Sequence, residues 1–365
     1  MGSIHKGVLC SCIIFLLTAH AAEASYHFSN FEGYPPIHEL GAPSTSPVGI
    51  TPSQIKQIYN LPDTGGTGTI AIIGAYNDLT IESDLADFDT QFNLPVCTIK
   101  NGCFEKHIMS NKIKSNSGWS METTLDVEWA HAIAPHAKIL LVQAVTPSGS
   151  NFIKAIDYAN SRADVVAISM SWGGAEFPEE VSLDDHFKSK YGATFFASSG
   201  DNGTGASWPA SSPGVIGVGG TTIIQKSNGL YKSEVAWSGS GGGISVYEKI
   251  PEYQKNTEVR EAHGMRTIPD VAYNADPTSG FPIVRNHVWH RVGGTSAGAP
   301  QWAALSTLGH GITLGQLYID KSKSNSAQYF RDILTGDNGA CGSVCSAHKQ
   351  YDTVTGLGSP QTINY

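Results

Sequence analysis

The sequence predicts an α/β fold in which helices cover both faces of one doubly wound, mostly parallel sheet. Three observations carry that prediction. Four short apolar runs, TIAIIGAY from Thr69, KILLVQAV from Lys138, DVVAISMSW from Asp164 and ATFFASSG from Ala193, are bounded by turn residues and unbroken in hydrophobicity, as strands buried on both faces are. Helix-like segments lie among them: TIESDLADFDTQF from Thr80, METTLDVEWAHAIA from Met121, SNFIKAIDYANS from Ser150 and EEVSLDDHFKSKY from Glu179. Strand and helix alternate, and parallel strands need such a crossover between them. No internal repeat is visible, and one domain over residues 50–365 accounts for the pattern.

Taken in order, the chain opens on Lys6 followed by the apolar run GVLCSCIIFLLTAHA and the small-x-small site Ala22-Glu23-Ala24. Residues 1–24 are therefore expected to be a removed signal peptide. The apolar run is too short for a membrane anchor, and no second long one follows, so a soluble protein without a membrane contact is expected. Residues 25–49 are rich in Pro, Gly and Ser without a sustained period and read as an extended arm. The globular pattern begins at ITPSQIKQIYNL.

Composition narrows the function. A chain of 365 residues with 40% hydrophobic content can bury one large core. Its formal net charge is -9 with only 23 Lys+Arg and no basic run, which argues against a nucleic-acid surface. Removal of the signal peptide takes Cys10 and Cys12 and leaves Cys97, Cys103, Cys341 and Cys345. Four cysteines in an oxidising compartment suggest two disulfides, and close spacing favours Cys97 with Cys103 and Cys341 with Cys345 among three connectivities. No zinc-like spacing accompanies them.

The stretch GGTSAGAPQWAAL, Gly293 to Leu305, sets Ser296 among small residues at the start of a helical run. Pro300 fits a first helical turn. The plain reading is an N-cap serine, and the functional one is a nucleophile, which requires a base. In a doubly wound sheet, function gathers beyond the carboxyl ends of the strands. Asp201 follows the strand ATFFASSG there. Glu122 and Asp126, four apart, share a face of the helix METTLDVEWAHAIA, where the plain reading is a solvated face. If they face a cleft they must share a proton.

Several motifs occur in order: E-x-x-x-D at Glu122 and Asp126 followed by A-x-A-P-x-A-K-I, SWGG from Ser171, SSGD ending at Asp201, SGGGIS from Ser240, IPDVAYNADP from Ile268, GTSAGAP around Ser296, and D-x-x-T-G-L-G-S-P from Asp352. The ordered set, from about Ile50 to Pro360, resembles the sedolisins, the serine-carboxyl peptidases. The resemblance implies a subtilisin-like fold in which a glutamate replaces the catalytic histidine. It implies Ser296 as nucleophile, Glu122 as general base and then acid, Asp126 as the residue that orients Glu122 and shares its proton, and Asp201 in the oxyanion hole. An aspartate donates to an oxyanion only when neutral, so the activity is expected at acid pH. Polypeptides are the expected substrates, a monomer the expected state, and an extracellular or acidic lumenal location the expected place. A subtilisin triad lacks its His-Gly-Thr helix here, and His131 reads as a packing or surface histidine. G-x-S-x-G at Ser296 also fits an α/β-hydrolase elbow, but only 69 residues follow.

The resemblance further implies one structural Ca2+, with Asp332, the carbonyl of Ile333 and Asp352 as ligands. The chain departs from the family at His348 and Gln350, where glycines are usual. A second departure is the short arm in place of a long prodomain, with folding without one expected. In some members a glutamate follows the first strand and meets the tryptophan of SWGG; here Gly74 stands there beside Trp172. Asn202-Gly203-Thr204 is a glycosylation sequon next to Asp201 and is expected to be unused, since a glycan would obstruct substrate. Within the enzyme class an endopeptidase is expected over a tripeptidyl-peptidase; the competing class is a silent secreted binding scaffold.

Overall fold

The computed structural model describes Gly2 and residues 27–257, 259–309, 311–322 and 329–361. The expected signal peptide, apart from Gly2, and the first two residues of the arm lie outside the described residues. The strands that frame the site are β1 (His38–Glu39), β2 (Thr69–Ala75), β3 (Phe104–Ile108), β4 (Lys138–Ala144), β5 (Val165–Met170), β6 (Gly174–Ala175), β7 (Thr194–Ser198) and β8 (Ser207–Trp208). They continue with β9 (Val215–Gln225), β10 (Tyr231–Ala236), β11 (Gly243–Lys249), β12 (Met265–Ile268), β13 (Val271–Asn274), β14 (Phe281–Arg285) and β15 (Val288–Gly293). The helices are α1 (Pro52–Ile58), α2 (Ile81–Phe92), α3 (Ser117–Ile133), α4 (Gly149–Asn160) and α5 (Gly298–Leu305).

The central sheet runs β10-β9-β7-β5-β2-β4-β3, with β13 also against β9. Only β10 is antiparallel to its neighbour; the other pairings are parallel. The four apolar runs are β2, β4, β5 and β7, and β2 is buried along its whole length. Side chains alternate across a strand, and two core layers follow. Ile70 and Ile72 of β2 join Ile139 and Leu141 of β4 beneath α2, α3 and α5. Ala71, Ile73 and Ala75 join Leu140, Val142 and Ala144 beneath α4 and the indoles of Trp172 and Trp208.

Three of the four helix-like segments are α-helices: α2, α3 and α4. The fourth departs, since Glu180–Phe187 is a 3-10 helix. Its acidic side chains are committed to fixed neighbours instead of to a helical face. Glu180 accepts from the Phe177 amide and Ser211 Oγ, and Asp184 accepts from Ser212 Oγ.

Candidate active site

The long helix α3 crosses the interior. Asn116 starts it by accepting from the amides of Gly118 and Trp119, which satisfies two of the helix's orphan donors. Pro135 bars its continuation, and its last helical residue is Ile133. From Glu122 to Ile133 every residue is buried, so the Glu122/Asp126 pair does not lie on a solvated face.

Ser296 reaches the same interior from the other side of the sequence. Strand β15 ends at Gly293, Gly294 turns the chain at φ 127°, a 3-10 turn spans Thr295–Ala297, and α5 follows with Pro300 in its first turn. Gly294 is required twice over: the angle is one that side-chain-bearing residues rarely adopt, and a Cβ there would lie 2.0 Å from the carbonyl oxygen of Pro36. Gly298 lets α5 sit against the sheet, since a Cβ would meet Val218 at 2.6 Å.

The site residues meet. Ser296 Oγ donates to Glu122 Oε2 at 2.9 Å. Glu122 Oε1 is buried with no other donor, which leaves a proton shared with Asp126 as its partner. Burial, and then the Asp126 charge, push the Glu122 carboxyl well above the usual range; burial raises Asp126 too. The contact between the two carboxyls raises Glu122 and lowers Asp126, which puts the shared proton on Glu122 at rest, and Glu122 can take the serine proton as it passes its own to Asp126. Asp201 stands across the site after β7. Its Oδ1 accepts from the amide and the hydroxyl of Thr295, both at 2.8 Å. Its Oδ2 therefore carries the proton when the group is neutral, and burial raises this carboxyl as well.

Three residues that sequence reasoning did not place complete the arrangement. Ser171 Oγ donates to Asp126 Oδ1 at 2.5 Å and lies 3.2 Å from the Ser296 carbonyl, tying the carboxyl pair to the nucleophile's own backbone. Thr295 fixes Asp201. His38 of the arm places Nε2 3.0 Å from Asp201 Oδ2. Ser171 and Thr295 stand inside quoted motifs, but nothing local in the sequence marks their hydroxyls, and His38 gives no signal at all.

The remaining expectations find their places. His131 is fully buried, donates Nε2–H to the Pro95 carbonyl at 2.8 Å, and is pushed down to about 4 by burial, as a packing histidine would be. Trp172 is core: its indole stacks on Phe152 at 3.7 Å and donates to the Ile73 carbonyl. Both expected cysteine pairs, Cys97 with Cys103 and Cys341 with Cys345, are disulfides. Asn202 is exposed and lines the cleft beside Asp201. Asp332 accepts from the Gln350 amide at 2.8 Å and Asp352 from the His348 amide at 3.2 Å, so both aspartates are fastened to one loop. Gln350 takes φ 71°, the conformation a glycine would take freely, and the loop keeps a glycine-like course without one. Both Asp352 oxygens are engaged, by the His348, Val354 and Thr355 amides and the Thr355 hydroxyl, while the donor type, two carboxylates and a carbonyl, is the one a hard cation selects.

The fold and this constellation belong to the subtilisin-like class. A family model described as the subtilase family matches residues 107–308. The solved structure of a Pseudomonas sedolisin, described as a serine-carboxyl proteinase in complex with pseudo-iodotyrostatin, superposes with a TM-score of 0.74 at 26% identity, covering 87% of this chain and 96% of that one. Kumamolisin of a Bacillus species is 29% identical over 88% of this chain, and tripeptidyl-peptidase 1 of Bos taurus 28% over 86%. The chain belongs to the subtilase family, and its likeness along most of its length is to the sedolisins. It spans 64% of the length of kumamolisin and 63% of that of the bovine relative.

Proposed function

We propose that the chain hydrolyses peptide bonds as an acid-acting serine-carboxyl peptidase. The observation that carries this reading is the 2.9 Å hydrogen bond from a buried serine hydroxyl to one member of a proton-sharing carboxyl pair. Ser296 Oγ attacks the substrate carbonyl while its proton passes to Glu122. The oxyanion accepts from the Ser296 amide and from neutral Asp201 Oδ2–H, because a carboxylic acid kept protonated by its surroundings is a strong donor to developing negative charge. Glu122 returns the proton to the leaving amine, and water then releases the acyl group by the same exchange. Asp126, held by Ser171, accepts the shared proton from Glu122 as the serine proton arrives.

An endopeptidase reading is supported by the arm, which runs as a peptide past both sides of Asp201. Tyr34 pairs antiparallel with Gly173 on one side, and His38 with Gly293 on the other, so the groove accommodates a continuing chain at both ends. Two disulfides suit a secreted or acidic lumenal protein, and among the described residues no helix is long and apolar enough to cross a membrane. Polypeptides are the proposed substrates, and a monomer the proposed state. One calcium ion held by Asp332, the Ile333 carbonyl and Asp352 would brace the loop that ends at Asp352, away from the chemistry. Chelation is expected to lower the melting temperature.

Proteolysis of a denatured protein from about pH 3 to pH 8 tests the reading. Activity confined to acid pH and abolished by Ser296→Ala and by Glu122→Ala is expected, with internal cuts in the peptide map. Neutral activity that survives Glu122→Ala would replace the carboxyl base with a histidine. Release of tripeptides alone would exclude the endopeptidase assignment, and silence at every pH would leave a binding scaffold. Intact mass of secreted protein is expected to show Asn202 without a glycan.

A further inference from the structure

Asp201 stands in a loop, Gly200–Gly205, that no helix or strand carries: β7 has ended at Ser198 and β8 begins at Ser207. Thr295 fixes the Asp201 carboxyl, but the backbone beneath it is half glycine, at Gly200, Gly203 and Gly205, and glycine backbone is the most permissive there is. The inner side of the loop rests on the SGGG segment. Gly241 donates its amide to the Gly200 carbonyl at 2.6 Å, Gly203 donates to the Gly239 carbonyl at 3.0 Å, and Gly205 and Gly242 exchange both backbone hydrogen bonds, at 2.7 and 3.1 Å.

The outer side meets the segment Leu334–Ser343. Every residue of that segment is exposed except Asn338, which is buried. Its carbonyl accepts from the Thr204 amide at 2.8 Å, its Nδ2 donates to the Ser240 carbonyl at 2.9 Å, and its own amide donates to the Cys345 carbonyl at 3.0 Å. One residue thus joins the Asp201 loop, the glycine segment behind it and the short loop that Cys341–Cys345 closes. The fit is close on both sides. Gly203 takes φ 73°, and a Cβ there would lie 2.6 Å from the Asn338 carbonyl oxygen, while Thr204 Oγ1 lies 3.6 Å from Cys341 Sγ.

We propose that Asn338 is a positioning residue for the oxyanion loop. By clamping Thr204 to Ser240 it holds Gly200–Gly205, and Asp201 with it, against the turn that carries Ser296, and the Cys341–Cys345 loop keeps Asn338 seated. The proposal rests on the peptidase reading for the role of Asp201. Placement matters there because an acid must meet the oxyanion and not the ground-state carbonyl, and a shift of about 1 Å costs on the order of a hundredfold in rate. Asn338 is not among the residues that line the cleft beside Asp201, so its loss falls on the transition state and not on substrate binding.

The test compares the wild-type protein with Asn338→Ala and with the double variant Cys341→Ala/Cys345→Ala, which loosens the seat and leaves Asn338 itself unchanged. The probes are a small panel of tripeptide aldehydes with apolar or basic last residues, and the matching alcohols. With an aldehyde, Ser296 Oγ bonds to the carbonyl carbon, the serine proton passes to Glu122, and the former carbonyl oxygen takes the oxyanion position facing Asp201; the alcohol fills the cleft and forms no such bond. Aldehyde affinity and kcat are expected to fall about tenfold or more in both variants, with alcohol affinity and KM within about twofold of wild type. Hydrogen exchange of the Thr204 amide, followed in Ser296→Ala protein, is expected to quicken in both. An aldehyde-to-alcohol ratio equal to that of wild type, equal weakening of both probes, or unchanged Thr204 exchange would overturn the proposal. A wild-type protein that does not prefer aldehyde to alcohol would sink the peptidase reading instead, and Thr204 exchange would still decide whether Asn338 holds the loop.

Discussion

Ser171 shows how one hydroxyl can set the behaviour of a site. By donating to Asp126 it favours the ionised form of that carboxyl, while burial opposes it. Ser171→Ala is expected to lower kcat about tenfold, the cost of one hydrogen bond to a charged group, and to move the pH profile upward, because Asp126 holds its proton more firmly. Ser171→Thr should restore much of both, and an unchanged profile would make Ser171 a packing residue. Gln350 offers a second test at this scale. Its left-handed backbone costs a side-chain-bearing residue about 1 kcal/mol. Gln350→Gly is therefore expected to stabilise the protein by up to that amount in a urea melt, less the entropy a glycine adds to the unfolded chain.

At the scale of elements, α3 carries the base and must start in a fixed phase. Glu122 and Asp126 face Ser296 and Ser171, whereas His131, on the opposite face of the same helix, donates to the Pro95 carbonyl. A change of phase would exchange these faces. Asn116→Ala removes the cap and is expected to cost about 1 kcal/mol in a denaturant melt, with little effect on kcat because the buried face holds the register. The periodicity of α2, α3 and α4 was legible because amphipathic or wholly buried helices write their burial into the sequence. Glu180–Phe187 was not, because its acidic side chains answer to Ser211 and Ser212, far along the chain.

At the scale of the whole molecule, burial of carboxyls sets how stability depends on pH. Burial raises Glu122, Asp126, Glu128 and Glu180, pushes Glu248 up to about 8 and Asp89 up to about 7. A carboxyl raised in the folded state contributes most below its unfolded value, near 4, and the contribution is lost as pH rises through the folded one. His131, pushed down to about 4, opposes this between about pH 6.5 and 4, but it is one group against six. Stability is expected to fall from pH 4 to pH 8 in thermal melts of the Ser296→Ala protein. A melting temperature that climbs over that range would refute the assignment of these carboxyls as neutral in the fold.

The sequence by itself determined the sheet-and-helix order, the pairing of nearby cysteines and the ordered motifs that hold Ser296, Glu122, Asp126 and Asp201, because strand burial, helix period and spacing are local properties of the chain. Only the tertiary structure decided that the Glu-x-x-x-Asp face is buried, that Ser171 and Thr295 hold the carboxyls, and that the arm lies in the cleft. Those contacts join residues 45 to 163 positions apart, from Asp126 to Ser171 and from His38 to Asp201. A hydroxyl or an imidazole carries no mark of its partner until the sheet brings the two together.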